Sequence, residues 1–192
     1  MKKFKIISIL LMLVLIMTSL TCPAQAAISD EVNEAIGLLE KIGIISAEEE
    51  FIQDAYITRI DYLTMVLRSL GFNEDMQNSD EEQIFLDVPA DDQNAGIISI
   101  AYHLNIIKGQ ADGRFCPANN ISFNEAIAIA IRALGCEKLA DRNGGYPVGY
   151  LVCARNIGLL KGFDDISDKT VSNAYSAKLV FNLLNANRLK TN

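Results

Sequence analysis

Residues 57–61 read Ile-Thr-Arg-Ile-Asp and set an arginine directly after a threonine suited to cap a helix. A hydroxyl at an N-cap accepts a hydrogen bond from a free N–H of the first turn. The guanidinium of Arg59, at a helix start, offers two parallel donors to a carboxylate, and free backbone N–H groups at the same end add to the attraction. The competing reading is an ordinary surface arginine. His103 is the single histidine and lies in a helical run, where a lone histidine is structural far more often than it is a ligand or base. No HExxH, GxSxG or P-loop pattern occurs, which removes the easily recognised enzyme classes. Nor does the chain display the acid pair of a wall hydrolase. Asp112-Gly113 lacks the alternating acidic ligands of a calcium loop and reads as a turn. The reading is a protein without catalysis, metal or cofactor. Glu48-Glu49-Glu50 and Asp80-Glu81-Glu82 read as solvated charge. Tyr56, Tyr62 and Tyr102 read as core or rim residues, with stacking on sugars as the alternative.

The elements that position these residues recur along the chain. One anchor ends a helix, at Ile42-Gly43-Ile44-Ile45, Leu104-Asn105-Ile106-Ile107-Lys108-Gly109 and Ile157-Gly158-Leu159-Leu160-Lys161-Gly162. A second starts another helix, at Ile57-Thr58-Arg59-Ile60-Asp61, Ile121-Ser122-Phe123-Asn124-Glu125 and Val171-Ser172-Asn173-Ala174-Tyr175. The first recurs at offsets of 62 and 53 residues and the second at 64 and 50, so length varies in the loops. Thr58, Ser122 and Ser172 are the N-caps; Glu125 completes a capping box, Asp61 does so less well, and Tyr175 does not. Apolar residues follow at helical spacing: Leu63, Val66, Leu67 and Leu70; Ile127, Ala130, Ile131 and Leu134; Leu179, Val180, Leu183 and Leu184. Each helix thus has one apolar face, which a single helix pair cannot bury alone. Gly71 and Gly135 stand where a left-handed cap is expected. The earlier helix of each pair is expected at 30–42, 92–105 and 147–157, and the linkers at 73–82 and 136–146.

Met1 to Lys5 is basic, residues 6–20 are almost wholly apolar, and Ala24-Gln25-Ala26 offers small residues to a signal peptidase. The run is shorter than the ~20 residues that span a bilayer, so residues 1–26 are expected to be a cleaved signal peptide of an exported chain, with no membrane span left. The minor alternative is a lipoprotein attached through Cys22, although Ser19-Leu20-Thr21 departs from the usual lipobox. Cleavage removes three lysines and leaves 166 residues with 14 basic and 24 acidic side chains, a net charge of −10. That balance argues against nucleic acid, whose phosphates require clustered Lys and Arg, and suits solubility. Cys116, Cys136 and Cys153 remain. An odd, widely spaced set is neither a disulfide framework nor a zinc pattern.

Taken together, Phe85-Leu86-Asp87-Val88-Pro89, the Ile-Ile-Lys-Gly run, Asp112-Gly113-Arg114-Phe115 before Pro117, and the Ile121-Ser122 helix start resemble an S-layer homology (SLH) module. The middle copy is clear, the first fair and the third degenerate, giving repeats at 27–76, 82–140 and 141–192. The resemblance implies an all-α fold with short extended connectors, three helix-loop-helix repeats forming a pseudo-threefold spindle. It implies a non-catalytic protein of the bacterial cell wall that binds secondary cell-wall polysaccharide, often pyruvylated, in grooves between repeats. Its alternative role is docking other envelope proteins. The family's ITRAE-like arginine contacts the acidic sugar, which nominates Arg59 with Thr58 and Asp61. Gly109 and Gly162 end the Lys-Gly motif and either permit close approach of a sugar or terminate a helix; Ala47 stands at that point in the first copy. Phe123 and Asn173 replace the arginine in the other copies, and Gln93 stands where most members have tryptophan, which this chain lacks.

Overall fold

The structure is a computed structural model that describes residues 23–46, 50–72, 83–163 and 169–188. The apolar leader through residue 22, with Cys22, Ala47 and the expected linker at 73–82, lies outside the described residues. The described residues form seven helices: α1 (Pro23–Lys41), α2 (Arg59–Ser69), α3 (Ala95–His103), α4 (Phe123–Ala133), α5 (Glu137–Arg142), α6 (Val148–Asn156) and α7 (Asn173–Arg188). They contain no strand, only isolated bridges. The all-α expectation holds. Helix α1 runs through the expected cleavage point after Ala26.

Three helices make the centre. α2, α4 and α7 pack on one another, while α3 lies on α2, α6 on α4 and α1 on α7. The apolar faces read from the sequence point inward: Leu63 and Val66, Ile127 and Ile131, Leu179 and Leu183 are all fully buried. Burial of such side chains stabilises by about 1.5–3 kcal/mol each.

Local signals start and stop these helices as expected. Thr58 Oγ1 and Ser122 Oγ accept from the N–H three residues on, and Ser122 with Glu125 closes the full capping box. Asp61 does not complete a box; its carboxylate accepts from the Thr58 hydroxyl at 2.5 Å. The outer helices stop at one shared turn. Gly43, Asn105 and Gly158 take positive φ. The next N–H then returns to a carbonyl five residues back, as in Ile44 to Leu39, Ile106 to Ala101 and Leu159 to Ala154 at 2.8–2.9 Å. Glycine, or asparagine, reaches that conformation at least cost.

The segments leading into the central helices meet in two closed rings of backbone hydrogen bonds. In the first, Ile57 N–H donates to Val171 O, Val171 N–H to Ile121 O, and Ile121 N–H to Ile57 O, at 3.0–3.1 Å. In the second, Arg59, Phe123 and Asn173 donate to the carbonyls of Asn119, Lys169 and Ala55, each at 2.8 Å.

One expected loop is a helix. Residues 136–146 read as a linker, yet Glu137–Arg142 forms α5. At six residues it is too short to show a period in sequence. Tertiary contact makes it: Ala140 is fully buried, and a Cβ on Gly149 of α6 would strike the Ala140 carbonyl.

Asp87 of the lead-in ties residues 85–88 to residues 115 and 116. Its carboxylate accepts from Phe115 N–H at 2.8 Å and Cys116 N–H at 2.7 Å. Burial pushes this carboxyl up, but the amides of Phe115, Cys116 and Asp87 itself, with the Arg114 charge, together outweigh burial and hold it below the ordinary range. Asp87→Ala strands two amide donors and is expected to cost about 2 kcal/mol. In a thermal melt that is a loss of about 4–8 °C in Tm.

Candidate functional site

Arg59 is buried at 6% exposure, so it is not the ordinary surface arginine of the competing reading. Its guanidinium stacks on the Phe115 ring, 4.9 Å from the centroid. Nε donates to the Phe115 carbonyl at 2.9 Å and Nη1 to Glu125 Oε1 at 2.9 Å. Glu125 also receives Ser122 N–H on its other oxygen, so one carboxylate both caps α4 and holds Arg59. One edge of the guanidinium fork is therefore committed within the protein; Nη2 bonds no described residue. The helix-start N–H groups are committed as well. Arg59 N–H goes to Asn119 O, Ile60 N–H to Pro117 O and Asp61 N–H to Thr58 Oγ1. The expectation that they attract an anion is corrected: backbone from residues 117–119 reaches them first.

Arg59 forms the floor of a groove of about 230 Å³, with Ile107 to Gln110 on one side and Glu125, Ala128, Ile129 and Arg132 of α4 on the other; Tyr146 stands at its edge. Gly109 belongs to this wall. Asn105 already ends α3, so helix termination is not the role of Gly109. Its φ is +69°, and a Cβ there would run into the Phe85 ring. Glycine lets the main chain pass over that ring and present its surface to the groove. Thr58 and Asp61 do not line the groove.

Glu137 organises the cations of the upper wall. It pairs with Lys108 at 2.7 Å and Arg132 at 3.0 Å and accepts from the Tyr150 hydroxyl at 2.8 Å. Burial pushes the Glu137 carboxyl up, but hydrogen bonds from Lys108, Tyr150 and Arg132 prevail and hold its pKa at about 2. The groove thus joins three cations, two carboxylates, an amide and an aromatic ring, a set that suits a hydroxyl-rich ligand bearing an acidic group. Sequence reasoning passed over Gln110, Arg132 and Tyr146. Arg132 stands ten residues after its N-cap, as do Arg68 and Asn182. Arg68 and Asn182 each donate to carbonyls of the turn that ends an outer helix. That recurrence was the available signal.

The equivalent junction between residues 121–163 and 171–186 carries other chemistry. Phe123, Phe163 and Tyr175 occupy the places of Arg59, Gln110 and Glu125, with ring centroids 5.4–5.8 Å apart. Gly162 lies there, beneath the Lys178 side chain that pairs with Glu31 of α1. Gly158 ends α6, so Gly162 is no helix terminator either. Lys178 is 4% exposed and stands where the first groove has Ala128, so the space open above Gly109 is filled above Gly162. At the third junction Asn173 donates to Ile52 O at 2.9 Å. Arg59 and Gly109 share one groove, and Gly162 lies at a different junction, covered by Lys178.

Comparison with known proteins finds similarity over part of this region. Residues 84–127 match the S-layer homology domain. This stretch is similar to an SLH domain. It includes Asp87, Lys108, Gly109 and Glu125, while Arg59 reaches it from outside. The chain is 34% identical over 119 residues to a cell surface protein of Thermoanaerobacter kivui, covering 61% of this chain and 15% of that protein. It is 29% identical over 109 residues to the middle cell wall protein of Brevibacillus brevis, covering 56% and 10%. Against the surface layer protein of Brevibacillus choshinensis it is 26% identical over 135 residues, covering 69% and 12%. The chain spans no more than 15% of the length of these relatives. Among its described residues no helix is long and apolar enough to cross a membrane.

The Glu137 clamp, beside residues 84–127, carries a pH signature. Its folded pKa of about 2 lies below the ordinary 4.5, so its stabilisation is full above the ordinary value and is lost as pH falls through the folded one. Glu137→Gln is expected to melt below wild type at pH 6. The gap in Tm should close between pH 4.5 and pH 2; a gap that persists unchanged at pH 2 contradicts the clamp.

Proposed function

We propose that this is an exported, non-catalytic protein of the bacterial cell surface that binds secondary cell-wall polysaccharide through its Arg59 groove. The observation that carries the reading is the groove itself. An SLH domain supplies Lys108, Gly109 and Glu125, and a neighbouring segment supplies a buried arginine at their floor. A carboxylate-bearing sugar, such as a pyruvyl ketal, finds Lys108 and the Nη2 edge of Arg59 as donors, while Glu125 and Gln110 accept or donate to ring hydroxyls. Thr58 and Asp61 act here by holding the start of α2, one step behind the ligand. We further read the chain as three SLH repeats, at 27–76, 82–140 and 141–192 after a signal peptide. The two closed backbone rings and the shared turns at Gly43, Asn105 and Gly158 support that division.

A second reading, docking of another envelope protein, is favoured by one observation. Phe123, Phe163 and Tyr175 replace Arg59, Gln110 and Glu125 at the second junction, so an anionic sugar finds no guanidinium fork at its floor. In this reading Gly162 contacts a ligand only if Lys178 moves away.

The test is co-sedimentation of the protein with purified wall sacculi, before and after removal of the secondary polymer. Wild type is expected to pellet with intact sacculi and stay in solution with stripped ones. Arg59→Lys keeps a cation beside Glu125 but loses the planar fork; Lys108→Ala removes a half-exposed cation without touching the core. Each is expected to bind about tenfold more weakly, the equivalent of about 1.4 kcal/mol, with a smaller loss in Tm for Lys108→Ala than for Glu137→Gln, since Arg132 and Tyr150 still hold Glu137. Absence of binding to intact sacculi, or binding that survives stripping, overturns the wall-polymer reading and leaves the docking reading.

A further inference from the structure

The groove does not end at Lys108. Ile107 and Lys108 also form one wall of a second, shallower pocket of about 340 Å³, whose other walls are Tyr102, His103 and Asn105. The two cavities share those two residues and so adjoin at Lys108, with Arg59 in the first and Tyr102 in the second. Their chemistry differs sharply. The Arg59 end collects guanidinium, ammonium and carboxylate groups, whereas the Tyr102 end is lined by a phenol, an imidazole, an amide and an aliphatic chain, with Lys108 at the boundary.

The side chains of this outer pocket are fixed in place but not consumed. The Tyr102 ring, 43% exposed, stands edge-on to Phe85 at 5.7 Å, and His103 stands edge-on to Tyr102 at 5.7 Å. Asn105 is locked at φ +58° by the turn that ends α3, and its amide makes only a long 3.5 Å approach to the His103 carbonyl. The Tyr102 hydroxyl and the His103 ring nitrogens bond no described residue. Elsewhere in the protein the phenols of Tyr62 and Tyr150 are bonded, to Ala126 O and Glu137. A partly exposed ring held by its neighbours suits the C–H face of a pyranose, and the adjacent amide and imidazole suit ring hydroxyls, as donor and acceptor both.

We propose that this pocket is a second sugar subsite, which takes the neutral pyranose adjoining the anionic one in the polymer, with Lys108 contacting both. The inference rests on the wall-polymer reading and adds to it the length and the charge pattern of the ligand: at least two sugars, acidic at the Arg59 end and neutral at the Tyr102 end.

Calorimetric titration of the whole protein with two probes tests this. One is a single carboxyl-ketal sugar, methyl 4,6-O-(1-carboxyethylidene)-glucopyranoside. The other is a fragment of two or three sugars cut from the secondary polymer of purified sacculi. Wild type is expected to bind the fragment about tenfold more tightly than the single sugar, about 1.4 kcal/mol. His103→Ala with Asn105→Gly should erase that advantage and leave the single-sugar affinity unchanged; glycine keeps the left-handed turn while removing the amide. Lys108→Ala should weaken both probes. A fragment that binds no better than the single sugar overturns the subsite, as does undiminished fragment binding in the double variant or an equal loss of both probes. If neither probe binds wild type, the wall-polymer reading fails first and the subsite with it.

Discussion

Three buried residues that are distant in sequence, Ile57, Ile121 and Val171, close a ring in which each gives its N–H to one neighbour and its C=O to the other. A buried backbone group without a partner costs about as much as a lost hydrogen bond, so each of the three segments needs the other two in register. No sheet is required for this; one residue from each segment suffices. The capping hydroxyls follow directly, at Thr58, Ser122 and Ser172, so the ring also fixes where α2, α4 and α7 begin. With their origins pinned around one point, the apolar faces converge, and the outer helices lie against them, α3 on α2, α6 on α4 and α1 on α7.

The same constraint explains how the junctions diverge in chemistry while keeping their geometry. Because backbone bonds hold the segments together, the side chain after each cap is released from any duty to close the structure. Arg59 therefore stacks on Phe115 and pairs with Glu125, whereas Phe123 clusters with Phe163 and Tyr175, and Asn173 bonds a carbonyl. Replacing a half-buried ion pair by packed rings is tolerated where the surrounding fold is already closed, since desolvating the charges offsets much of their attraction.

What was legible in the sequence was what depends on near neighbours. A cap reaches three residues along the chain, a helical face repeats within two turns, and the left-handed turns at Gly71 and Gly135 follow from the residue type; all stand in the structure. What was not legible depends on segments far apart. The N–H groups at the start of α2 are taken by carbonyls near residue 118, and no local pattern announces that. Arg59 is buried by Phe115 and Glu125, which lie 56 and 66 positions away. Helix α5 exists because Ala140 seats against α6, and its own six residues carry no period. Gly109 and Gly162 were seen as a pair from the motif, but only Lys178, absent from the motif, separates an open groove from a filled one.

The groove's charge must also be set against that of the chain, which carries −7 in full. An acidic polymer approaching such a protein is repelled at long range, and physiological salt reduces that repulsion to within about 8 Å of the surface. Any selectivity for an acidic sugar then lies in contacts made after the repulsion has been screened. The arrangement around Arg59 suits that situation. Its cations do not spread a positive field, because Glu125 and Glu137 balance two of them at under 3.1 Å. They are instead held in fixed directions by those carboxylates, so their remaining donors are already oriented when a ligand arrives, and little side-chain freedom is left to lose on binding. A field-driven site attracts any polyanion; a site built from paired and oriented donors discriminates by the position of one carboxyl group relative to its neighbouring hydroxyls.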